Sequence, residues 1–182
     1  MKSITIHAGH NPHGKIGSGA SDYINESTEN RIILNKVKEL LKGKVNFTDV
    51  TVNNGKSQND ILKKIVSSCN KLKRDYDISI HFNACYHSES DCKTKGVECW
   101  IYDKKNPTKK LGDLICKNIS SIGFKNRGVK ESKSLYFIKN TDKPAIIIEV
   151  CFVDDFDDVK LYKKNKDKVA EAIANAIIEC CK

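Results

Sequence analysis

Long hydrophobic runs are missing from this sequence of 182 residues. The longest apolar stretches, such as residues 145–148, are far shorter than the roughly 20 residues that a membrane-spanning helix needs. We therefore expect no membrane insertion. The first residues open directly into a strand-like pattern and carry no apolar core of a secretion signal, so nothing in this sequence predicts export by the general route.

The eight cysteines lack the C-x-x-C spacing that is typical of a zinc knuckle. Cys69 and Cys116 fall on the apolar faces of two predicted helices, where a free thiol packs as a small hydrophobic group. In the absence of an export signal, reduced thiols are the expected state. The segment that carries Cys85, Cys92 and Cys99 is left open, because these three could lie near one another on a loop.

Arginine is scarce, although the net charge is +9 and lysine supplies nearly all of it. The sequence has no basic stripe interleaved with aromatic residues, so nucleic acid is not favoured as a partner. The charge is spread along the chain, which is typical of a solvated lysine-rich surface. The same field would also attract an anionic polymer.

Internal repeats, low-complexity segments and Pro/Gly/Ser linkers are also absent, so we expect one domain over residues 1–182. The hydrophobic pattern alternates between strand and helix periodicity, which predicts an α/β fold with a mostly parallel central sheet and helices on both faces. The predicted strands cover residues 3–7, 45–52, 77–82, 97–102, 135–138 and 145–150. The predicted helices begin near residue 25 and include residues 61–72, 111–122 and 169–180.

Four ionisable side chains occupy positions where such a fold places its ligand site. Ligands of open α/β sheets bind outside the carboxyl ends of the strands. His10 follows the first strand, His81 ends the strand at 77–82, and Glu149 ends the run that begins at residue 145. Glu26 opens the first helix, directly after the loop that leaves the first strand. We therefore expect all four to meet at one mouth of the sheet.

Two histidines and one carboxylate make a three-ligand zinc site with a fourth position open to water, as catalytic zinc requires. Imidazole nitrogen and carboxylate oxygen suit Zn²⁺, whereas an all-oxygen set would suggest magnesium or calcium. A further carboxylate is then available as a general base. Asn30 lies one helical turn after Glu26, and we expect it to orient that carboxylate.

Each of these residues also has a purely structural interpretation. A lone histidine at a strand end is often only hydrogen-bonded, and Glu26 suits the first turn of a helix in any protein. Glu149 follows three isoleucines, and burying it unpaired would be costly, so it needs a partner or a role. Among the other histidines, His7 is discounted because strand alternation points it away from the candidate site, and His13 and His87 because they lie in loops.

Five short segments, in order, resemble the motifs of the Amidase_3 family, the zinc-dependent N-acetylmuramoyl-L-alanine amidases of bacterial autolysins and phage endolysins. The segments are Ala8-Gly9-His10, Asn25-Glu26-Ser27-Thr28-Glu29-Asn30, Ser79-Ile80-His81-Phe82-Asn83-Ala84, Asn126-Arg127-Gly128-Val129-Lys130 and Pro144-Ala145-Ile146-Ile147-Ile148-Glu149. No single motif is decisive, but five in this order and spacing are specific. One departure is His7, where many relatives have Asp.

The resemblance implies that His10, Glu26 and His81 bind one zinc ion per chain and that Glu149 is the catalytic carboxylate. It implies peptidoglycan as the substrate and the amide between N-acetylmuramic acid and L-alanine as the bond that is cut. Two alternatives stay open. The first is a zinc peptidase that acts on the stem peptides of peptidoglycan, and the second is a wall-binding module without catalysis.

The biological setting follows from the same resemblance. A chain without a secretion signal fits a phage endolysin that waits in the host cytoplasm before release and then acts at the cell wall. A bacterial autolysin is the other interpretation. In either case the lysine-rich surface would attract anionic wall polymers.

Overall fold

The structure is a computed structural model that describes residues 2–85 and 95–182, so His87 and Cys92 lie outside the described residues. The strands are β1 (Ser3–Ala8), β2 (Asn46–Asp49), β3 (Tyr76–Asn83), β4 (Val97–Ile101), β5 (Asn126–Glu131) and β6 (Ala145–Phe152). The helices are α1 (Glu26–Leu41), α2 (Gln58–Asn70), α3 (Thr108–Ser120), α4 (Tyr136–Asn140) and α5 (Phe156–Cys181).

The six strands form one sheet in the order β2-β1-β3-β6-β4-β5. Four strands, β2, β1, β3 and β6, run parallel to one another. β4 runs antiparallel to β6, and β5 runs parallel to β4. The expectation of a mostly parallel sheet is therefore confirmed. As a consequence, the amino ends of β4 and β5 lie at the same edge of the sheet as the carboxyl ends of the other four strands.

The two faces of the sheet carry different helices and different side chains. On one face, Ile6, Ile78 and Ile148 pack into the larger hydrophobic cluster with α1, α3 and α5. On the other face, Ile147 and Phe137 belong to a smaller cluster with α2 and α4. Helices on both faces are therefore confirmed. Successive strand residues alternate between the two faces. Ser79, which is in register with Ile147, and Glu149, two residues after Ile147 on the same strand, therefore face the smaller cluster.

Helix α1 forms because its first turn is capped and its inner face is apolar. The side chain of Asn25 accepts a hydrogen bond from the backbone N–H of Thr28, which satisfies one of the unpaired donors at the helix start. Glu26 and Glu29 lie in this first turn, where the helix dipole favours negative charge. Gly43 follows the helix end with a left-handed φ of 71°. The cap holds Glu26 at the carboxyl edge of the sheet.

One predicted strand is wrong. Residues 135–138 lie in and before the short helix α4, because a four-residue apolar run fits either a helix or a strand period. The Ser132 hydroxyl accepts the backbone N–H of Leu135 at 3.2 Å and so supports a helical turn. Phe137 and Ile138 are then buried against the α2 side of the sheet. Conversely, residues 126–131 form strand β5, which hydrophobic alternation does not predict.

The free cysteines of the described residues agree with the expectation of reduced thiols. Six are free, and five of these are buried: Cys69, Cys99, Cys116, Cys151 and Cys181, with Cys180 half-buried. Cys85, whose state the sequence left open, is disulfide-bonded.

Helix α5 is the longest element of the described chain, and its backbone leaves helical geometry at Asn165, where φ is −127° and ψ is 24°. Its buried face carries Val169, Ile173 and Ile177, while charged residues cover the other side. Over residues 2–85 and 95–182, no helix combines the length and the apolar character that crossing a membrane requires.

Candidate metal centre

His10, Glu26 and His81 converge at the carboxyl edge of the sheet, as their positions in the sequence predict. One potential ligand atom from each lies within 4.8 Å of the others. Glu26 Oε1 is 3.2 Å from His10 Nε2 and 2.9 Å from His81 Nδ1. The three residues come from the loop after β1, the first turn of α1 and strand β3, so only the folded sheet brings them together.

His10 is held in an unusual backbone conformation. Its φ is 64°, which makes it the one non-glycine residue with positive φ in the described chain. A residue in this region carries strain that the surrounding structure must offset, and such strain gathers at functional sites. The Nδ1 atom lies 3.3 Å from Gln58 Oε1, so the ring is oriented with Nε2 towards Glu26.

Two glycines leave the space that these side chains occupy. A Cβ on Gly9 would lie 2.0 Å from His81 Cε1 and 2.2 Å from His81 Nε2. A Cβ on Gly19 would lie 2.3 Å from Glu26 Oε2 and 2.7 Å from His10 Cδ2, and Gly19 also has a left-handed φ of 75°. Both positions therefore require glycine for the side chains to converge.

Backbone donors fix the carboxylate of Glu26. Ala20 N–H donates to Oε2 at 2.9 Å, and Phe82 N–H donates to Oε1 at 3.2 Å. The expectation that Asn30 orients Glu26 is wrong. Asn30 is fully buried, but its Nδ2 donates to the carbonyl of Gly9 at 2.8 Å, because the side chain points towards the β1 loop rather than along the helix. Asn30 thus supports the backbone that precedes His10.

The ionised carboxylate of Glu26 suits a bound cation. Burial opposes ionisation of Glu26, but hydrogen bonds and charge from His10 and His81 bring its pKa well below the usual range. Burial lowers the pKa of His81, with a further contribution from His10. Burial also lowers that of His10, but Glu26 more than offsets this and the pKa is raised. An ionised carboxylate between two imidazoles is a donor set that fits zinc.

Glu149 lies beside this cluster on the same face of the sheet. Its Cα is in register with His81 across the β3–β6 ladder and with Glu98 across the β6–β4 ladder. Its Oε2 is buried and has no hydrogen-bond partner among the described residues. Burial, followed by the charges of Glu26 and Glu98, raises the pKa of Glu149 well above its ordinary value. The geometry therefore offers a proton acceptor next to the candidate ligands.

Glu98 is a site residue that the sequence reasoning missed. Its carboxylate is 2% exposed, and Oε2 accepts hydrogen bonds from Arg127 Nε at 2.6 Å and Lys130 Nζ at 2.5 Å. Oε1 accepts from Asn83 Nδ2 at 2.9 Å and Trp100 Nε1 at 3.0 Å. Glu98 lies near the amino end of β4, an end that reaches the site only because β4 is antiparallel to β6. The family motif that contains Arg127 and Lys130 was the sequence signal that pointed to this part of the site.

These groups line one cavity of about 800 Å³. Its lining includes His10, His81, Glu149, Arg127 and Lys130, and the remainder is largely apolar. The lining also includes Gln58, Ile61, Leu62, Ile65, Leu135, Tyr136, Phe137, Ile147 and Phe152.

His7 lines the same cavity, although alternation had directed it away from the candidate site. It is not one of the three converging residues. Its ring packs edge-on against Phe137, with 4.8 Å between ring centroids. Burial, together with the charge of His81, lowers its pKa to about 3, so the ring is neutral.

An α/β sheet with a His/Glu/His cluster, a buried unpaired carboxylate and an adjoining cavity has the arrangement of a metal-dependent hydrolase. The N-acetylmuramoyl-L-alanine amidase family (Amidase_3) matches residues 4–179, and the chain belongs to this family. The five motif segments identified in the sequence all fall within the matched range.

The chain is also similar to individual proteins over nearly its whole length. The chain is 33% identical over 179 residues to an uncharacterised protein of Clostridium perfringens, covering 97% of this chain and 51% of that protein. It is 30% identical over 190 residues to the endolysin of Bacillus phage SPP1, covering 98% of this chain and 65% of the endolysin. The chain therefore spans about half the length of the first of these relatives and about two thirds of the second.

Among solved structures, the fold matches the catalytic domain of the CD27L endolysin, which targets Clostridia difficile. The TM-score is 0.85 with 23% sequence identity, and the match covers 98% of each chain. At this identity the likeness establishes the shared fold.

Proposed function

We propose that this chain is a zinc-dependent N-acetylmuramoyl-L-alanine amidase, a single catalytic domain that hydrolyses peptidoglycan. The substrate bond is the amide between the lactyl group of N-acetylmuramic acid and L-alanine. The observation that carries the proposal is the convergence of His10, Glu26 and His81 within 4.8 Å beside the unpaired Oε2 of Glu149. Family membership supports the choice of bond.

We assign one zinc ion to His10, Glu26 and His81. When bound, zinc supplies a Lewis acid that polarises the scissile carbonyl and lowers the pKa of a water molecule. The residues contribute a fixed, charged donor set: Gln58 orients the ring of His10, and backbone N–H groups hold the carboxylate of Glu26. Three protein donors would be the number that catalytic zinc sites use.

Glu149 moves the proton. Its free Oε2 accepts a proton from the attacking water, whose oxygen bonds to the carbonyl carbon. Glu149 then delivers that proton to the nitrogen of L-alanine as the carbon–nitrogen bond breaks. The second hydrogen of the water also passes to this nitrogen, so the products are a lactyl carboxylate and the protonated amine of L-alanine. The apolar walls of the cavity limit the access of bulk water and so strengthen the electrostatic interactions of Glu149.

The test combines metal content with wall lysis. We expect about one zinc per chain by elemental analysis, and a loss of turbidity of purified cell walls that stops on chelation and returns when zinc is added. Protein without zinc, or lysis that is indifferent to chelation, would contradict the assignment of the metal.

Analysis of the new termini identifies the bond. Free amino groups on L-alanine, without new reducing sugar ends, are the expected products. New termini inside the stem peptide would instead indicate a zinc peptidase, and binding to walls without any new terminus would indicate a non-catalytic module.

The setting of the activity is part of the proposal. The similarity to the SPP1 endolysin supports a phage endolysin that is held in the host cytoplasm and acts at the wall after release, and an autolysin is the alternative. The net charge of +9 supports attraction to anionic wall polymers. Lysis that hardly changes with ionic strength would contradict that attraction, since surface electrostatics are screened by salt.

A further inference from the structure

Arg127 presents unused hydrogen-bond donors at the wall of the candidate active-site cavity. Its Nε donates to Glu98, and its guanidinium carbon lies 5.0 Å from the ring centroid of Phe152. In the described part of the chain, neither terminal nitrogen of Arg127 has a hydrogen-bond partner. The side chain is 18% exposed and lines the cavity. Arg127 is therefore held in one orientation by Glu98 and Phe152, with its two outer NH₂ groups available to a ligand.

The charge on this wall is positive. The single carboxylate of Glu98 faces two cations, since Lys130 Nζ lies 2.5 Å from the same oxygen that accepts from Arg127. Lys130 also lies over the ring of Trp100, 5.3 Å from its centroid. One negative charge against two positive charges leaves an excess that favours an anionic ligand. A guanidinium with two free donors matches a carboxylate in shape as well as in charge.

The wall that carries Arg127 lies at a distance from the metal cluster that a short peptide spans. Glu149 is the register partner of both His81 and Glu98, so two strand spacings separate His81 from Glu98. Neighbouring strands are about 4.8 Å apart, which puts the two roughly 10 Å from each other. An extended chain advances at most about 3.6 Å per residue. Two residues of extended chain cover at most about 7 Å, and a hydrogen bond of about 2.9 Å makes up the remainder. A carboxylate on the second residue of a peptide whose first amide lies at the metal cluster therefore comes within hydrogen-bonding reach of the wall that carries Arg127.

We propose that Arg127, with Lys130 beside it, is the receptor for the free α-carboxylate of the second stem residue, on the leaving-group side of the scissile amide. The proposal rests on the amidase function above. It assigns to Arg127 and Lys130 a role in substrate selection and no part in proton transfer. Glu98 is the positioning residue that holds both cations against the wall.

The test uses two soluble muramyl peptides that differ only in the second stem residue, whose α-carboxyl group is free in one and amidated in the other. We expect the wild-type protein to prefer the free acid in kcat/KM by roughly 10-fold to 100-fold, the range for a hydrogen bond to a charged group. In Arg127→Met the ratio of the two kcat/KM values should fall towards one, mainly because kcat/KM for the free acid decreases. Equal use of both peptides by the wild type, or an unchanged ratio in Arg127→Met, would overturn the proposal.

Lys133→Met is the matched control, because it removes one positive charge from an exposed side chain that does not line the cavity. Lys133→Met should keep the wild-type ratio. If the ratio fell as far in Lys133→Met as in Arg127→Met, net charge rather than a receptor would govern the preference. Calorimetric titration of Glu149→Gln with the same two peptides separates this proposal from the amidase function. Tighter binding of the free acid without hydrolysis by the wild type would retain the receptor and reject the amidase.

Discussion

Replacing Gly19 by alanine tests whether the converging side chains form a metal site. The new Cβ would lie 2.3 Å from Glu26 Oε2 and 2.7 Å from His10 Cδ2, closer by about 1.1 Å and 0.7 Å than the 3.4 Å at which ordinary contact begins. Credible metal sites keep their ligand distances within roughly 0.2 Å of the standard values. Two candidate ligands would therefore have to move by several times that tolerance.

The substitution also has a backbone cost, which a matched variant isolates. Gly19 has a φ of 75°, a region that costs a non-glycine residue about 1–2 kcal/mol. Gly14 lies in the same loop with a φ of 83°, and a Cβ there would meet no atom within 4 Å. Gly14→Ala therefore carries the same backbone cost without the clash. The difference between the two variants reports on the cluster alone.

The assay is a zinc titration in competition with a chelator, accompanied by thermal unfolding. We expect both variants to lose the backbone cost and Gly19→Ala to lose more stability because of its clash. Gly19→Ala should also bind zinc about 10-fold to 100-fold more weakly than Gly14→Ala, the range seen when groups that orient metal ligands are removed. Wall lysis should fall in parallel. Equal zinc affinity in the two variants would refute the reasoning, because it would mean that Glu26 and His10 need not occupy these positions to hold the metal.

Three further predictions concern single side chains. Glu149→Gln should retain zinc by elemental analysis and lose wall lysis, and persistent lysis would exclude its role in proton transfer. Glu98→Gln should destabilise the protein by about 1–3 kcal/mol in urea at pH 7, because Arg127 and Lys130 lose a charged partner. Burial opposes ionisation of Glu98, but these cations lower its pKa from 4.5. This stability is therefore present above pH 4.5 and is lost as the pH falls through the lower pKa of the folded state. The free energies of unfolding of the wild type and the variant should converge there. Asn30→Ala should cost about 1–3 kcal/mol, since it leaves the buried carbonyl of Gly9 without that donor, and zinc affinity should fall as well; unchanged values in both measurements would contradict its support of the loop.

The candidate ligands were accessible to sequence reasoning because each follows a local rule. His81 and Glu149 follow apolar runs that predict strands, although β3 and β6 continue two and three residues beyond them, and Glu26 follows a capping residue at a helix start. Parallel strands place their carboxyl ends at one edge, so three separate local signals predict one site. The role of Asn30 was not accessible in this way. Its position on the helix matched Glu26, but the side chain bonds to Gly9 because of the way α1 packs on the sheet.

The strands β4 and β5, which lie next to each other at one side of the sheet, explain most of what was missed. The direction of β4 relative to β6 depends on the path of the chain between them, and hydrophobic periodicity carries no information on strand direction. Only the antiparallel pairing aligns Glu98 with Glu149, and only β5 next to β4 brings Arg127 to the cavity. The apolar run at 135–138 is ambiguous for a related reason, since four residues span little more than one helical turn or two strand repeats.

The sequence by itself determined the class of sheet, the family and the four residues of the candidate metal and proton-transfer chemistry, because periodicity and motif order are properties of the chain. Tertiary structure alone decided which atoms face the cavity. The close approach of Gly9 to His81 and of Gly19 to Glu26 depends on distances between segments that are remote in the chain. The free donors of Arg127 likewise result from its pairing with Glu98, a contact across 29 residues that no local pattern encodes.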